Sequence, residues 1–414
     1  MAHTLIERIL ARGSGADSVS VGQIVVCDVD IAVLIDLQFA IDRLPDVVRV
    51  HDPDKVAIVL DHAVPAPSQR DAAAGSRARA FAKKHGVTRF FDVGNHGIVH
   101  QVIAEQGLAL PGSIVACTDS HTCAAGAFGA AGRGLGPAEL LQIVCTGKTW
   151  YEVPPTIRYE LHGSMPSAIN GKDVFLHIAQ EYGDAEGHAI EFGGPGLATV
   201  GMADRRTIAT QGAEVGADFT LFPADEVTRD YFRQLTGSDP EFLSADVGCT
   251  YASVRSIDLE QVRPMVGLPG TVVNNAVPVD EVRDQRIDQA FVGSCANGQL
   301  SDLEVVARVL RGRTVSPSVR MIITPASQQV YLEALKLGYI EAIVSAGATV
   351  TNSTCGACFG YSMGVLAAGE ICITASTRNF KGRMGSPDAD VYMASPATVA
   401  ASAIRGSITG AEEM

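Results

Sequence analysis

The pattern that most constrains this chain is a short apolar run, rich in β-branched residues, that ends on a polar or glycine residue and gives way to a helical pattern. Val56–Leu60 runs into Asp61-His62, Phe90–Val93 into Gly94, and Ile114–Cys117 into Thr118-Asp119-Ser120-His121. The unit returns at Ala290–Gly293 before Ser294-Cys295, at Met321–Thr324 before Pro325, and at Ile371–Ala375 before Ser376. Continuous apolar strands alternating with helices require mostly parallel sheets covered on both faces, an α/β fold. Helix ends are legible too. A capped helix starts near Asn170, Ser301-Asp302-Leu303-Glu304 has the form of a cap with an acid following, and Gln328–Leu337 closes at Gly338.

A length of 414 residues allows two to four domains at roughly 100–200 residues each. Turn-rich stretches at Gly163–Pro166 and Pro264–Pro269 divide the chain into expected domains over 1–162, 163–266 and 267–414. Ligands of open α/β sheets bind at the carboxyl ends of strands. Asp61, His62, His96, His100, Asp119, Ser120, His121, Cys295, Cys355, Cys358 and Arg378 all fall at such ends. A packed core gives no reason to place titratable groups there repeatedly.

Charge narrows the function. A net charge of -14 counts against general nucleic-acid binding, which needs a basic surface to displace counterions. No apolar stretch approaches the roughly 18 residues of a membrane span, and the N-terminal segment with Glu7, Arg8 and Arg12 lacks a signal-peptide core. The expectation is therefore no nucleic acid, no membrane and a cytoplasmic location, where thiols stay reduced. The nine cysteines are then no disulfide framework, and Cys27, Cys145 and Cys372, in apolar runs, are expected as small core residues. Gly147-Lys148-Thr149 lacks the first glycine of a phosphate loop, and Gly129–Gly136 is out of register for a dinucleotide fingerprint.

Cys355-Gly356-Ala357-Cys358 reads as a redox pair, half a zinc site or part of an iron–sulfur site. A tetrahedral zinc site would want a second pair nearby, and none exists. Cys295, at another strand end, makes three thiolates without a fourth. That set fits a [4Fe–4S] cluster with one open iron, zinc and structural thiols remaining as alternatives on spacing alone. Asp61-His62 and Asp119-Ser120-His121 can each hold a general acid beside a substrate hydroxyl; the alternative is a capping Asp beside a satisfied His. Arg378 and Arg383 flank Gly382 and suit a carboxylate clamp, or else a solvated loop.

These stretches, with Gly97–Gln101, Gly147–Trp150, Ile190-Glu191-Phe192 and Asn297, follow family order across nearly the whole chain. The set resembles the aconitase superfamily, most closely its isopropylmalate dehydratase large-subunit branch. The resemblance implies three α/β domains around a [4Fe–4S] cluster held by Cys295, Cys355 and Cys358. It implies acid–base or orienting pairs of Asp61 with His62, His100 with Glu191, and Asp119 with His121, and substrate carboxylates held by Ser120, Arg378 and Arg383. The implied reaction is dehydration and rehydration of a hydroxy dicarboxylic acid, 3-isopropylmalate to 2-isopropylmalate in leucine biosynthesis. Dimethylmalate-, citramalate- and homocitrate-type acids are alternatives, and an iron-sensing, RNA-binding role is an alternative of another class. Because the chain ends soon after the arginine loop, the fourth, swivel domain with its proton-abstracting serine is expected on a separate small subunit, leaving this chain inactive alone. Ile35, Gln38, Ala296, Gln299 and Thr377 depart from the family pattern.

Overall fold

The computed structural model describes residues 2–40 and 47–413. Three sheets carry the fold. The first has five parallel strands in the spatial order Arg89–Phe91, Val56–Val59, Ile31–Ile35, Ile114–Cys117, Ala131–Gly134. The chain lays down Ile31–Ile35 first, winds outward on one side, then crosses to the other. The switch point therefore lies between the carboxyl ends of Ile31–Ile35 and Ile114–Cys117, where such sheets open a crevice. The second sheet is parallel, in the order Phe219–Leu221, Ala189–Gly193, Thr156–His162, Ser253–Asp258. The third has seven strands. Asp390–Ala394, Ile371–Thr374, Gln289–Val292, Arg320–Ile323 and Thr349–Val350 run parallel, and Met265–Gly267 with Ala276–Pro278 forms an antiparallel edge.

The expected domain cuts after 162 and 266 do not coincide with the sheet changes. Thr156–His162 belongs to the second sheet and Met265–Gly267 to the third, so the chain changes sheets before each strand. The packing explains why composition misses this. One apolar core takes Val33, Val115 and Phe128 from the first sheet's layers, Tyr159, Leu176 and Phe192 from the second's, and Met393 from the third. Faces buried against each other leave no polar linker to read.

Helix Gly171–Tyr182 starts as expected, on a capping box of Asn170 and Asp173. Helix Leu300–Leu310 is capped by Gln299 with Asp302, not by Ser301 with Glu304. Asp302 has protein donors, Gln299 N at 2.9 Å and Asn297 Nδ2 at 3.1 Å, whereas Glu304 is exposed. Cys27 and Cys372 are core residues as expected, but Cys145 is exposed on the outward side of helix Pro137–Thr146. An apolar neighbourhood in sequence is not a buried face when the period is 3.6. No helix among the described residues is long and apolar enough to cross a membrane.

Asp173 and Asp302 are wholly buried, and burial pushes both carboxyls up to about 7. Between pH 4 and 7 the folded chain then binds protons that the unfolded chain has released. Their contribution is most favourable below pH 4 and is lost as the pH rises through 7. Urea midpoints of wild type and Asp302→Asn should therefore diverge over that window, wild type losing ground to the variant, with the difference flat above pH 7. A constant difference from pH 4 to 8 would show that Asp302 stays ionised.

Candidate active site

The carboxyl ends of the first sheet supply three acidic turns. Asp36 directly follows the central strand, and its Oδ1 and Oδ2 accept the backbone N–H groups of His62 (3.2 Å) and Ala63 (2.6 Å). Asp61 and His62 follow Val56–Val59. Asp61 Oδ2 accepts from Val99 N (2.9 Å), fixing the helix Val99–Glu105 that presents His100. Asp119 caps the helical segment Ser120–Phe128, accepting from His121 N at 2.8 Å. That turn lies directly on the strand Ala131–Gly134. A Cβ at Gly134 would stand 2.7 Å from Asp119 O and one at Gly132 would run into Thr122 O, so only glycine permits the approach.

The side chains form one connected array. His62 Nδ1 is 3.1 Å from Asp61 Oδ1 and 3.6 Å from Asp36 Oδ1, and its Nε2 is 3.9 Å from Asp119 Oδ2. Asp119 Oδ1 meets His100 Nε2 at 2.9 Å and His121 Nδ1 at 3.3 Å. His121 Nε2 meets Glu214 Oε1 at 2.9 Å, and the same oxygen accepts from Arg378 Nε at 2.8 Å. Burial opposes ionisation throughout, but the partners outweigh it. Asp61 and Asp36 hold the His62 imidazole well above its ordinary value. His100 and His121 hold Asp119 well below the usual carboxylate range. Asp119 and Glu214 raise His121, while His121 and Arg378 lower Glu214.

The structure corrects one expected pair. His100 pairs with Asp119, not with Glu191. Glu191 lies in the second sheet, where its carboxylate takes Arg158 Nη1 (2.6 Å), Tyr251 Oη (2.9 Å) and Leu5 N (2.9 Å). It ties the N-terminal helix Leu5–Ser14 to that sheet and stands outside the array. Sequence reasoning missed Glu214. Its signal is a lone acid in Gly212-Ala213-Glu214-Val215-Gly216, a turn that follows a helix. Asp36 carries the same signal as Asp61, an acid directly after a run of buried apolar residues.

The third sheet brings the thiols. Cys295 sits in the one-turn helix Ser294–Asn297 after strand Gln289–Val292, and Cys355 precedes the turn Gly356–Phe359, which contains Cys358. Cys355 N donates to Asp61 O (3.2 Å), and Thr354 Oγ1 donates to the same oxygen (2.6 Å). All three are buried and unbridged. A hydrogen bond from Cys355 and the nearby Arg383 guanidinium, whose Nη2 is 3.8 Å away, pull Cys358 well below the ordinary thiol range despite its burial. Burial pushes Cys295 well above it. Arg383 lies over the Phe359 ring, which meets His62 edge-on, and Ser120 is exposed beside Asp119. Thr377 Oγ1 is 3.8 Å from Cys358 Sγ. Ala296 and Gln299 are tied to the second sheet through Thr207 and Arg206. Ile35 is a buried strand residue, and Gln38 donates to Pro137 O.

Asp61 Oδ1, His62 Nδ1 and Arg383 Nε are buried without an aligned hydrogen-bond partner. Asp61, His62 and Cys355 offer ligand atoms within 4.8 Å of one another. Open polar atoms of this kind are rare in a core. Beside three free thiols they fit a bound metal centre, and the sulfur donors suit an iron–sulfur group.

A family model for the aconitase family (aconitate hydratase) matches residues 35–284 and 273–406. The chain belongs to the aconitase family. It is 60% identical over 414 residues to the 3-isopropylmalate dehydratase large subunit of Mycolicibacterium smegmatis, covering all of this chain and 98% of that one. It is 41% identical to a probable 3-isopropylmalate dehydratase large subunit of Methanothermobacter thermautotrophicus, covering 99% of each. Aconitase X of Thermococcus kodakaraensis (holo-form) matches with a TM-score of 0.51 at 15% identity, over 87% of this chain and 88% of that one, and shows the shared fold. Family membership implies a [4Fe–4S] cluster.

Glu214→Gln removes the anion that holds both His121 and Arg378. Breaking such a buried pair costs about 3 kcal/mol. The raised His121 contributes stability that is complete below pH 6.5 and is lost as the pH climbs through its folded value. The wild-type advantage over Glu214→Gln should accordingly be larger at pH 6 than at pH 9 in chemical denaturation; equal advantages would mean His121 is neutral in the fold.

Proposed function

We propose that this chain is the large subunit of an iron–sulfur hydro-lyase that interconverts 3-isopropylmalate and 2-isopropylmalate in leucine biosynthesis. The observation that carries the reading is the meeting of three buried free thiols with the Asp61–His62–Asp119–His121 array in a chain 60% identical, end to end, to an isopropylmalate dehydratase large subunit.

Cys295, Cys355 and Cys358 would hold the cluster. When bound, a three-cysteine cluster supplies an open iron that acts as a Lewis acid on a hydroxyl and its neighbouring carboxylate. The protein's part is proton placement and binding. His62, kept protonated by Asp61 and Asp36, has a ring nitrogen within 4.8 Å of Cys355 Sγ and can give a proton to a departing hydroxyl. Asp119, shared between His100 and His121, keeps both imidazoles oriented and is itself held ionised. Glu214 lies on the far side of His121 from Asp119. It fixes His121 and the Nε edge of Arg378, so the remaining guanidinium N–H groups face a substrate carboxylate. Arg383, set between Cys358 and two aromatic rings, and the exposed Ser120 supply further carboxylate contacts.

The base that removes the carbon-bound proton is assigned to a small subunit carrying the swivel domain. The large-subunit names of the relatives support a partner of this kind. The acidic balance of the sequence supports a small-molecule role over nucleic-acid binding.

The chain, loaded with iron and sulfide under anaerobic conditions and mixed with the small subunit, should isomerise isopropylmalate with a higher kcat/KM than citramalate, dimethylmalate or homocitrate. A higher value for one of those acids would overturn the substrate. Asp119→Asn should lower kcat by about 10²–10⁴. Cys358→Ser should abolish iron loading in elemental analysis, and full loading of that variant would overturn the ligand set.

A further inference from the structure

Lys172 is the least expected charge in the molecule. Its side chain is 0% exposed. It lies in the first turn of helix Gly171–Tyr182, the end where the helix dipole disfavours a cation. Among the described residues no carboxylate stands within ion-pair distance of its ammonium. Nζ donates instead to Ser376 O (2.8 Å) and approaches the Met393 sulfur at 3.8 Å. With the Gln211 amide oriented to satisfy its neighbours, the Gln211 carbonyl also accepts from Lys172 and its NH2 donates to Thr377 O (3.0 Å). These acceptors are neutral. A buried cation left with neutral dipoles alone is costly, because several kcal/mol of hydration are given up without a counter-charge.

The sheets place the missing anions. The turn that Lys172 and Gln211 grip, Ser376-Thr377-Arg378, is the one whose Thr377 hydroxyl contacts Cys358. Burial pushes the Lys172 ammonium down to about 8, and negative charge on Cys295 and Cys358 is the foremost influence holding it up against that burial. A cluster held by three thiolates brings net negative charge into the same pocket. Resting on the cluster reading above, we propose that Lys172 is a positioning residue for the iron–sulfur group: its buried ammonium is the counter-charge of the Cys295 and Cys358 thiolates and anchors the Ser376–Arg378 turn beneath them.

Two consequences separate this role from ordinary packing. With a cluster bound, the ammonium favours the more negative, reduced form, so its removal lowers the midpoint potential. Without a cluster, Lys172 is a buried cation lacking its anions, so a neutral side chain of similar shape costs the fold nothing. A purely structural lysine would behave oppositely, destabilising both forms alike and leaving the potential unchanged.

The experiment compares wild type with Lys172→Met, Lys172→Gln and Lys172→Arg as full chains, reconstituted with iron and sulfide. The one-electron midpoint is read by EPR-monitored titration and melting is read with and without the cluster. The neutral variants should favour the oxidised over the reduced cluster by about tenfold, a downward shift of about 59 mV. Their cluster-free forms should melt at or above wild type, and their gain in Tm on loading should shrink. Lys172→Arg should restore at least half of the midpoint shift. A midpoint unchanged in both neutral variants, or equal losses of Tm in loaded and cluster-free protein, would overturn the role of Lys172 while leaving the cysteine assignment intact. Failure of wild type itself to take up iron and sulfide would overturn the cluster reading, and this inference with it.

Discussion

Everything in the site depends on a seam of hydrogen bonds around one residue, Asp61. Its carboxylate holds Val99 N, and with it the start of the helix that carries His100. Its carbonyl holds Cys355 N and the Thr354 hydroxyl, and with them the cysteine turn. Two sheets remote in sequence are thereby joined carboxyl end to carboxyl end. The seam continues on either side: Ile98 N donates to Ala326 O (2.7 Å), Gln328 N to His96 O (3.1 Å), and Asn352 Nδ2 to Val64 O (2.7 Å). Buried backbone groups must be paired somewhere. Pairing these across the seam fixes the distance between the histidines and the thiols.

Electrostatics then makes the arrangement self-consistent. Carboxylates and cations alternate along the array: Asp61, His62, Asp119, His121, Glu214, Arg378. Each interior member has opposite charge on both sides, so each can remain ionised in a buried setting where an isolated charge would not. The second sheet enters through Glu214 and Lys172, the negative and positive ends of its contribution. It acts as more than a scaffold between the other two, since it supplies the anion that sets Arg378 and a cation beneath the thiols.

Most of the fold was legible because its strands are buried on both faces and so read as continuous apolar runs; Val56–Val59 and Ile114–Cys117 are the clearest cases. Asp61, His62, Asp119 and His121 were legible because each breaks such a run at its end. Glu191 entered only through the resemblance, as a partner for His100, and no run-end signal marked it. It sits in the strand Ala189–Gly193, and its partners are Arg158, Tyr251 and Leu5. Glu214 was missed because it lies in a helix-terminal turn, where nothing local separates a functional acid from a surface one.

The sequence by itself determined the α/β class, the strands whose ends bear chemistry, and the three thiols, because periodicity and residue type are local properties. Only the tertiary structure decided which acid faces which histidine, that among the described residues no carboxylate stands within ion-pair distance of the Lys172 ammonium, and where one sheet gives way to the next. Those are facts about residues 19, 93 or 204 positions apart, as in His100 with Asp119, His121 with Glu214 and Lys172 with Ser376. They are set by backbone hydrogen bonds across the seam and by the burial of whole sheet faces, and no local pattern carries them.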